Sequence, residues 1–179
     1  MLKSLLIPGV FLVFSIPALA HSPWGQYQVY RQMHLLIMST ITDGPTYPYS
    51  NKIVKAINEV IPEAKARPAR AKNFESVHSL FKTKQIQLVL LSKSNAKALL
   101  EGSTPFSGLG PVEAKVLYAF GDLLLLVQND FPDSNVWLLA DAFKKIHNRL
   151  PGALTPEKII VIPNLHPAAL LAIRGNPIP

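Results

Sequence analysis

The residue with the most distinctive chemistry is His21. Ala18-Leu19-Ala20 reads as an A-x-A cleavage site, so processing after Ala20 leaves histidine as the first residue of the mature chain. A terminal amine and the imidazole of the same residue can chelate one copper ion. A further imidazole would complete a histidine-brace-like site, and copper favours such nitrogen ligands. His34 and His166 are the candidate additional ligands. The plain alternative is that processing merely exposes a histidine, with His166 serving as a cap or a structural hydrogen-bond partner. His78 and His147 fall within predicted helices and read as surface or internally satisfied residues.

Other catalytic chemistry finds little footing. The chain has no G-x-S-x-G, H-E-x-x-H, G-x-x-x-x-G-K-[ST] or G-x-G-x-x-G motif. Its eleven carboxylates form no evident catalytic pair. The absence of cysteine excludes a disulfide framework, a thiolate zinc site, a thiol nucleophile and a lipoprotein anchor. A non-catalytic protein is therefore expected. Trp24, Tyr27 and Tyr30 offer either a docking strip for a partner or a wrap along a sheet edge.

The elements that would position these residues begin after a leader. Lys3, the apolar run from Leu5 to Ile16 and the A-x-A site make residues 1–20 a secretory signal peptide. That run is about 12 residues, against roughly 20 for a membrane span, although an uncleaved anchor is the competing reading. A bacterial periplasm is the expected location, with no further membrane span. The remainder fits a lead-in at 21–32 and one α/β domain at 33–179. The net charge of the whole chain is +7, with lysine and arginine scattered rather than interleaved with aromatics, so nucleic acid is not an expected partner.

Met33–Ser39 and Gln85–Leu91 are continuous apolar runs and predict buried strands. Ala64–Ala71 predicts a short strand, with Pro68 assigning it to an edge. Ile53, Val54, Ile57, Val60 and Ile61 recur at helical spacing over Tyr49–Ile61, and Pro62 stops that helix. Asn73 is a good N-cap for a helix reaching about Lys84, and Ser92 opens another that ends at Gly102. Val112–Phe120 and Leu123–Gln128 read as a hairpin. A long helix follows from about Phe131 to Leu150, then an extended stretch at 151–165 and a last helix at His166–Arg174. Alternating strands and helices predict a three-layer α/β sandwich, its sheet mixed but mostly parallel. In such sheets ligands sit at the carboxyl ends of the strands, here the loops 39–48, 71–74 and 91–94.

Taken in order, GPTYPYS, then IPEAKARPARAKNFESVHSL, then KTKQIQLVLLSKSNAKALLEG, then DFPDSNVWLLADAFKKI and NLHPAAL, the chain resembles the TAXI-type solute-binding proteins of TRAP transporters. That family has a Gly-Gly-Thr-Tyr-Tyr-Pro-like loop after its first strand and a Gly-Ser-rich loop before its second helix. Members are about twice as long and close two lobes, as in type II periplasmic binding proteins, around a solute. Here only about thirty residues, 103–132, stand where the second lobe would be, so the resemblance implies a one-lobe relative.

The resemblance implies solute contacts at Thr46, Tyr47 and Tyr49 in the first loop, with Asn73 and Ser76 in the second and Ser92 and Asn95 in the third. Free N–H groups at a helix start would suit an anion. The alternative for each is a helix cap or a packed ring. The family's glycine doublet is replaced by Asp43-Gly44-Pro45. Pro45 has no N–H to donate, and Asp43 brings a charge where the family often holds a carboxylate ligand. The implied ligand is a small solute or a transport protein partner, with a second copy of the chain able to supply the missing wall.

Overall fold

Apolar periodicity along the chain switches between the helical spacing and unbroken strand-length runs, and the elements follow it. The structure, a computed structural model, describes residues 30–179. A helical turn at 30–33 leads into β1 (Leu36–Thr40), α1 (Thr46–Val60), β2 (Arg67–Ala71), α2 (Phe74–Lys82), β3 (Leu88–Ser92) and α3 (Lys93–Glu101). Then come β4 (Ala114–Phe120), β5 (Leu123–Gln128), α4 (Asp133–Ile146), α5 (Pro156–Ile159) and α6 (Pro167–Arg174). The strands form one sheet in the order β2-β1-β3-β5-β4. β1 is parallel to β2 and β3, while β5 runs antiparallel to β3 and β4.

Helices α1, α4 and α6 cover one face, and α2 and α3 cover the other. The fold is therefore the three-layer α/β sandwich that the alternation predicts. Side chains divide by strand alternation: Ile37, Leu88 and Leu90 join the α1 side, and Met38, Val89 and Leu91 the α2–α3 side. Both faces are buried, which explains why these strands read as continuous apolar runs. β4 carries a register shift between Val116 and Tyr118. Val116 packs with the α2–α3 cluster, whereas Tyr118 and Phe120 turn to the α1 side. There they meet Phe143 of α4 at ring separations of 5.1 and 5.3 Å. Residues 103–132 contribute a loop and the β4–β5 hairpin to this same sheet, and no second lobe is inserted there.

Both sheet edges are closed. The outer side of β4 is bonded by the C-terminal segment: Val116 N–H to Asn164 O, His166 N–H to Val116 O and Leu154 N–H to Ala119 O, at 2.8–3.1 Å. At the opposite edge, Arg67 N–H points inward to Leu35 O, so residues 66, 68 and 70 face outward. The Asn58 side chain takes both polar groups of Ala66, at 2.7 and 3.0 Å. Pro68 has no N–H. Only Arg70 presents an outward donor, so another strand has little to pair with.

Several boundaries differ from the sequence reading, for local reasons. α1 starts at Thr46 rather than Tyr49, because Pro48 sits in the first turn, where its missing N–H costs nothing. β3 starts at Leu88 rather than Gln85, because Gln85 and Ile86 both donate to Leu80 O and finish the turn after α2. β1 starts at Leu36 rather than Met33, because the lead-in remains helical through 33. Residues 151–165 are not a run of extended chain: Thr155-Pro156 starts the short α5.

Candidate functional site

The order β2-β1-β3 places a topological switch point between β1 and β3, at the carboxyl ends of the parallel strands. Three strand-to-helix connections meet there. β1 reaches α1 through residues 41–45, β2 reaches α2 through Lys72 and Asn73, and β3 passes directly into α3.

The crevice at this point is filled by the protein itself. Asp43 is only 6% exposed, and its carboxylate Oδ2 accepts the backbone N–H of Ser92 at 2.7 Å. Asp43 O accepts the Thr46 N–H at 2.9 Å and the Thr46 hydroxyl at 2.8 Å. The hydroxyl also reaches Thr40 O at 3.1 Å. The loop after β1 is thus tied to its own helix on one side and to the end of β3 on the other. A hydroxyl cluster supports it from below. Ser39 and Ser50 lie 3.2 Å apart, Ser50 donates to Tyr47 O at 2.8 Å, and Thr40 Oγ1 meets Thr42 Oγ1 at 2.9 Å. Sequence reasoning passed over Ser39, Thr40 and Ser50. The run of hydroxyl residues in Ser39-Thr40-Ile41-Thr42 was the available signal.

The seven residues implied as solute contacts surround this point but do not form one open site. Thr46 is fully buried in the bonds just given. Tyr49 donates to Pro151 O at 2.6 Å and lies 5.3 Å from the Phe120 ring, and burial pushes its pKa up to about 12. Asn73 Oδ1 caps α2 by accepting the Ser76 N–H at 2.9 Å and its hydroxyl at 2.6 Å. Ser92 gives its N–H to Asp43 and sets its hydroxyl 3.3 Å from that of Ser94. Asn95 is half-buried in the first turn of α3. Tyr47 is half-buried, with the Arg70 guanidinium 5.4 Å from its ring centroid.

What remains open is the rim above the crevice. Ile41 is 56% exposed. Gly44, Pro45, Pro48, Lys72, Lys93 and Asp122 are also exposed around it. Lys93 N–H donates to Asp122 O at 2.7 Å, and its ammonium lies 3.7 Å from the Asp122 carboxylate. This rim offers aliphatic surface, one aromatic ring and cations, an arrangement suited to contact rather than bond-making.

The histidines lie elsewhere. His34, at the amino end of β1, stacks on Tyr30 at 4.2 Å and places Nδ1 2.9 Å from Tyr30 O. His166 is the N-cap of α6, and its Nδ1 accepts the Ala168 N–H at 3.2 Å. Burial depresses its pKa, Asp133 at 3.8 Å opposes that shift, and Lys115 reinforces it. His166 lies against the far side of β4, about four strand spacings, or about 19 Å, from the β1 position of His34. The two are not brought to one centre. Among the described residues no group of three or more His, Asp or Glu side chains could hold a metal ion. His21 lies outside the described residues, as do Trp24 and Tyr27. His78 Nε2 is bonded to Gly110 O at 2.9 Å, and His147 Nδ1 to Lys144 O at 2.7 Å.

A concavity of about 680 Å³ lies at the opposite, amino edge of the sheet. The lead-in at Arg31–Leu35 forms one wall, and the Lys84–Asp130 ion pair at 2.7 Å lies along another. It contains none of the seven residues implied as solute contacts. Among the described residues no helix is long and apolar enough to cross a membrane. No protein-family model matches this chain, and no curated protein matches it.

Proposed function

We propose that this chain is a periplasmic, non-catalytic binding protein that resembles one lobe of a TAXI-type solute-binding protein and docks a transport protein on the rim above β1 and β3. Export by the leader at 1–20 delivers it to that compartment. The supporting observation is the buried Asp43 carboxylate on Ser92 N–H at 2.7 Å. It occupies the position at the helix start that an incoming anion would need. A second carboxylate there would meet a like charge in a site shielded from water, which is strongly unfavourable. Enclosure of a small anion is therefore the weaker use of this face. Contact through Ile41, Tyr47, Lys72 and Lys93 is the better one.

The test is native mass spectrometry of the protein isolated from its own cells. The expected species starts at His21 and carries a second, larger polypeptide, which Ile41→Asp together with Tyr47→Ala removes. A monomer carrying a small organic molecule would contradict the docking reading. A pair of identical chains, lost in the same variant, would replace the transport protein with a second copy.

A further inference from the structure

Lys84, Lys93, Lys97, Lys145 and Arg149 each meet a carboxylate. Lys55, Lys65, Arg67, Arg70 and Lys72 are all exposed and make no ion pair among the described residues, as is also true of Lys52, Lys82, Lys158 and Arg174; the five differ in following one another along a single edge. These five lie together along one side of the molecule. Arg67 and Arg70 belong to the edge strand β2, with Lys65 and Lys72 at its two ends. Lys55 projects from the part of α1 that leans over β2, near Asn51 and next to Asn58, which bonds Ala66. Glu59, the carboxylate nearest to Lys55 in sequence, is taken by Arg149. Glu63 and Glu75 are the remaining acidic residues of this stretch, so the excess is positive.

Arg67 and Arg70 are three positions apart and point to opposite faces of the edge, with only Pro68 and Ala69 between them. Arg67 therefore stands clear on a long, flexible stem, while Arg70 leans toward the Tyr47 ring at 5.4 Å. The backbone beneath them is spent on Asn58 at Ala66 and lacks a donor at Pro68, which leaves Arg70 N–H as the outward donor, so the edge has little to offer a strand. The concavity beside Pro68, Ala69 and Arg70, about 220 Å³, falls below the size of ordinary ligand pockets. Ile41, exposed in the loop leaving β1 beside Lys72, adds an aliphatic contact at one end.

We infer that the β2 edge is a membrane-facing surface that holds the protein against anionic lipid headgroups. A fluid headgroup layer conforms to scattered flexible cations, where a folded acidic protein would need matching geometry. Each cation held near an anionic leaflet strengthens partitioning by about fivefold, and the effect fades beyond a Debye length. The surface adjoins the rim above β1 and β3 and shares Ile41 and Lys72 with it, whereas Lys55, Lys65 and Arg67 lie outside the rim, so variants at those three report on this surface alone.

The experiment is sedimentation of the processed protein, as recovered from the cell, with vesicles of phosphatidylcholine alone or mixed with phosphatidylglycerol. Wild type should bind the mixed vesicles only, and release as salt is raised. Lys55→Gln, Lys65→Gln and Arg67→Gln combined should weaken binding by about 100-fold. Lys97→Gln, Lys145→Gln and Lys158→Gln combined remove the same charge away from the β2 edge and should cost less than tenfold. Circular dichroism and thermal midpoints show that both triples fold. Equal losses in the two triples would overturn the inference, because net charge alone would then explain binding. So would absent vesicle binding, including the case in which the edge binds polyglutamate, standing for an acidic protein, and ignores lipid.

Discussion

At the scale of single residues, Asp43 connects the ends of two strands. Its partner Ser92 is 49 residues away, so no local pattern announces the bond. The sequence shows only a carboxylate beside Gly44 and Pro45. Asn73 and Gly102 were legible because their partners lie within a few residues. Asp43→Ala should cost about 1–3 kcal/mol, because it leaves the Ser92 N–H without its acceptor. Asp43→Asn, which keeps an acceptor oxygen, should cost less than half as much; urea denaturation compares the two, and equal losses would contradict the bond's role. His166 gives a pH prediction. Its folded pKa lies below the ordinary 6.5, so the folded protein binds fewer protons than the unfolded chain as pH falls. The contribution of neutral His166 is full above about pH 6.5 and declines as pH drops through that value toward the folded pKa. Unfolding at pH 7.5 and 5.5 should show a smaller loss in His166→Asn, which can still cap α6. An equal loss in both proteins would refute this account.

At the scale of elements, boundaries set by caps and apolar stripes were readable, and boundaries set by turn bonding were not. α2, α3, α6 and the β4–β5 hairpin fall close to where periodicity puts them. The stretch 151–165 was misread because its order comes from bonds to β4, far off in the chain, and not from any period of its own. α3 ends at Gly102, whose φ of +69° suits glycine. A Cβ there would stand 2.7 Å from Pro111 N and 2.8 Å from Gly110 C, both backbone atoms. Gly102→Ala should therefore destabilise by about 1–3 kcal/mol, measured by denaturant titration, and a neutral result would show that this loop yields. The β2 edge is guarded by Pro68. Pro68→Val supplies an outward N–H and raises strand propensity, so sedimentation velocity should reveal concentration-dependent association absent from wild type. A strictly monomeric variant would show that Asn58 and the flanking arginines suffice.

At the scale of the whole molecule, the three-layer architecture was legible because strands buried on both faces and amphipathic helices carry distinct apolar patterns. The site was legible only as a place. The carboxyl ends of β1, β2 and β3 follow from topology, whereas the commitment of Thr46, Tyr49, Asn73 and Ser76 to internal bonds depends on tertiary contacts that no spacing encodes. The result is an α/β domain whose crevice holds its own carboxylate and whose rim faces outward. The most direct measurement is an amide-resolved NMR titration of the protein with formate and acetate, following Ser92. The account predicts no saturable shift of the Ser92 amide in wild type, and a saturable shift with regained stability in Asp43→Ala, where the small anion takes the vacated place. A saturable Ser92 shift in wild type would show that the crevice is open to anions and would contradict the central claim.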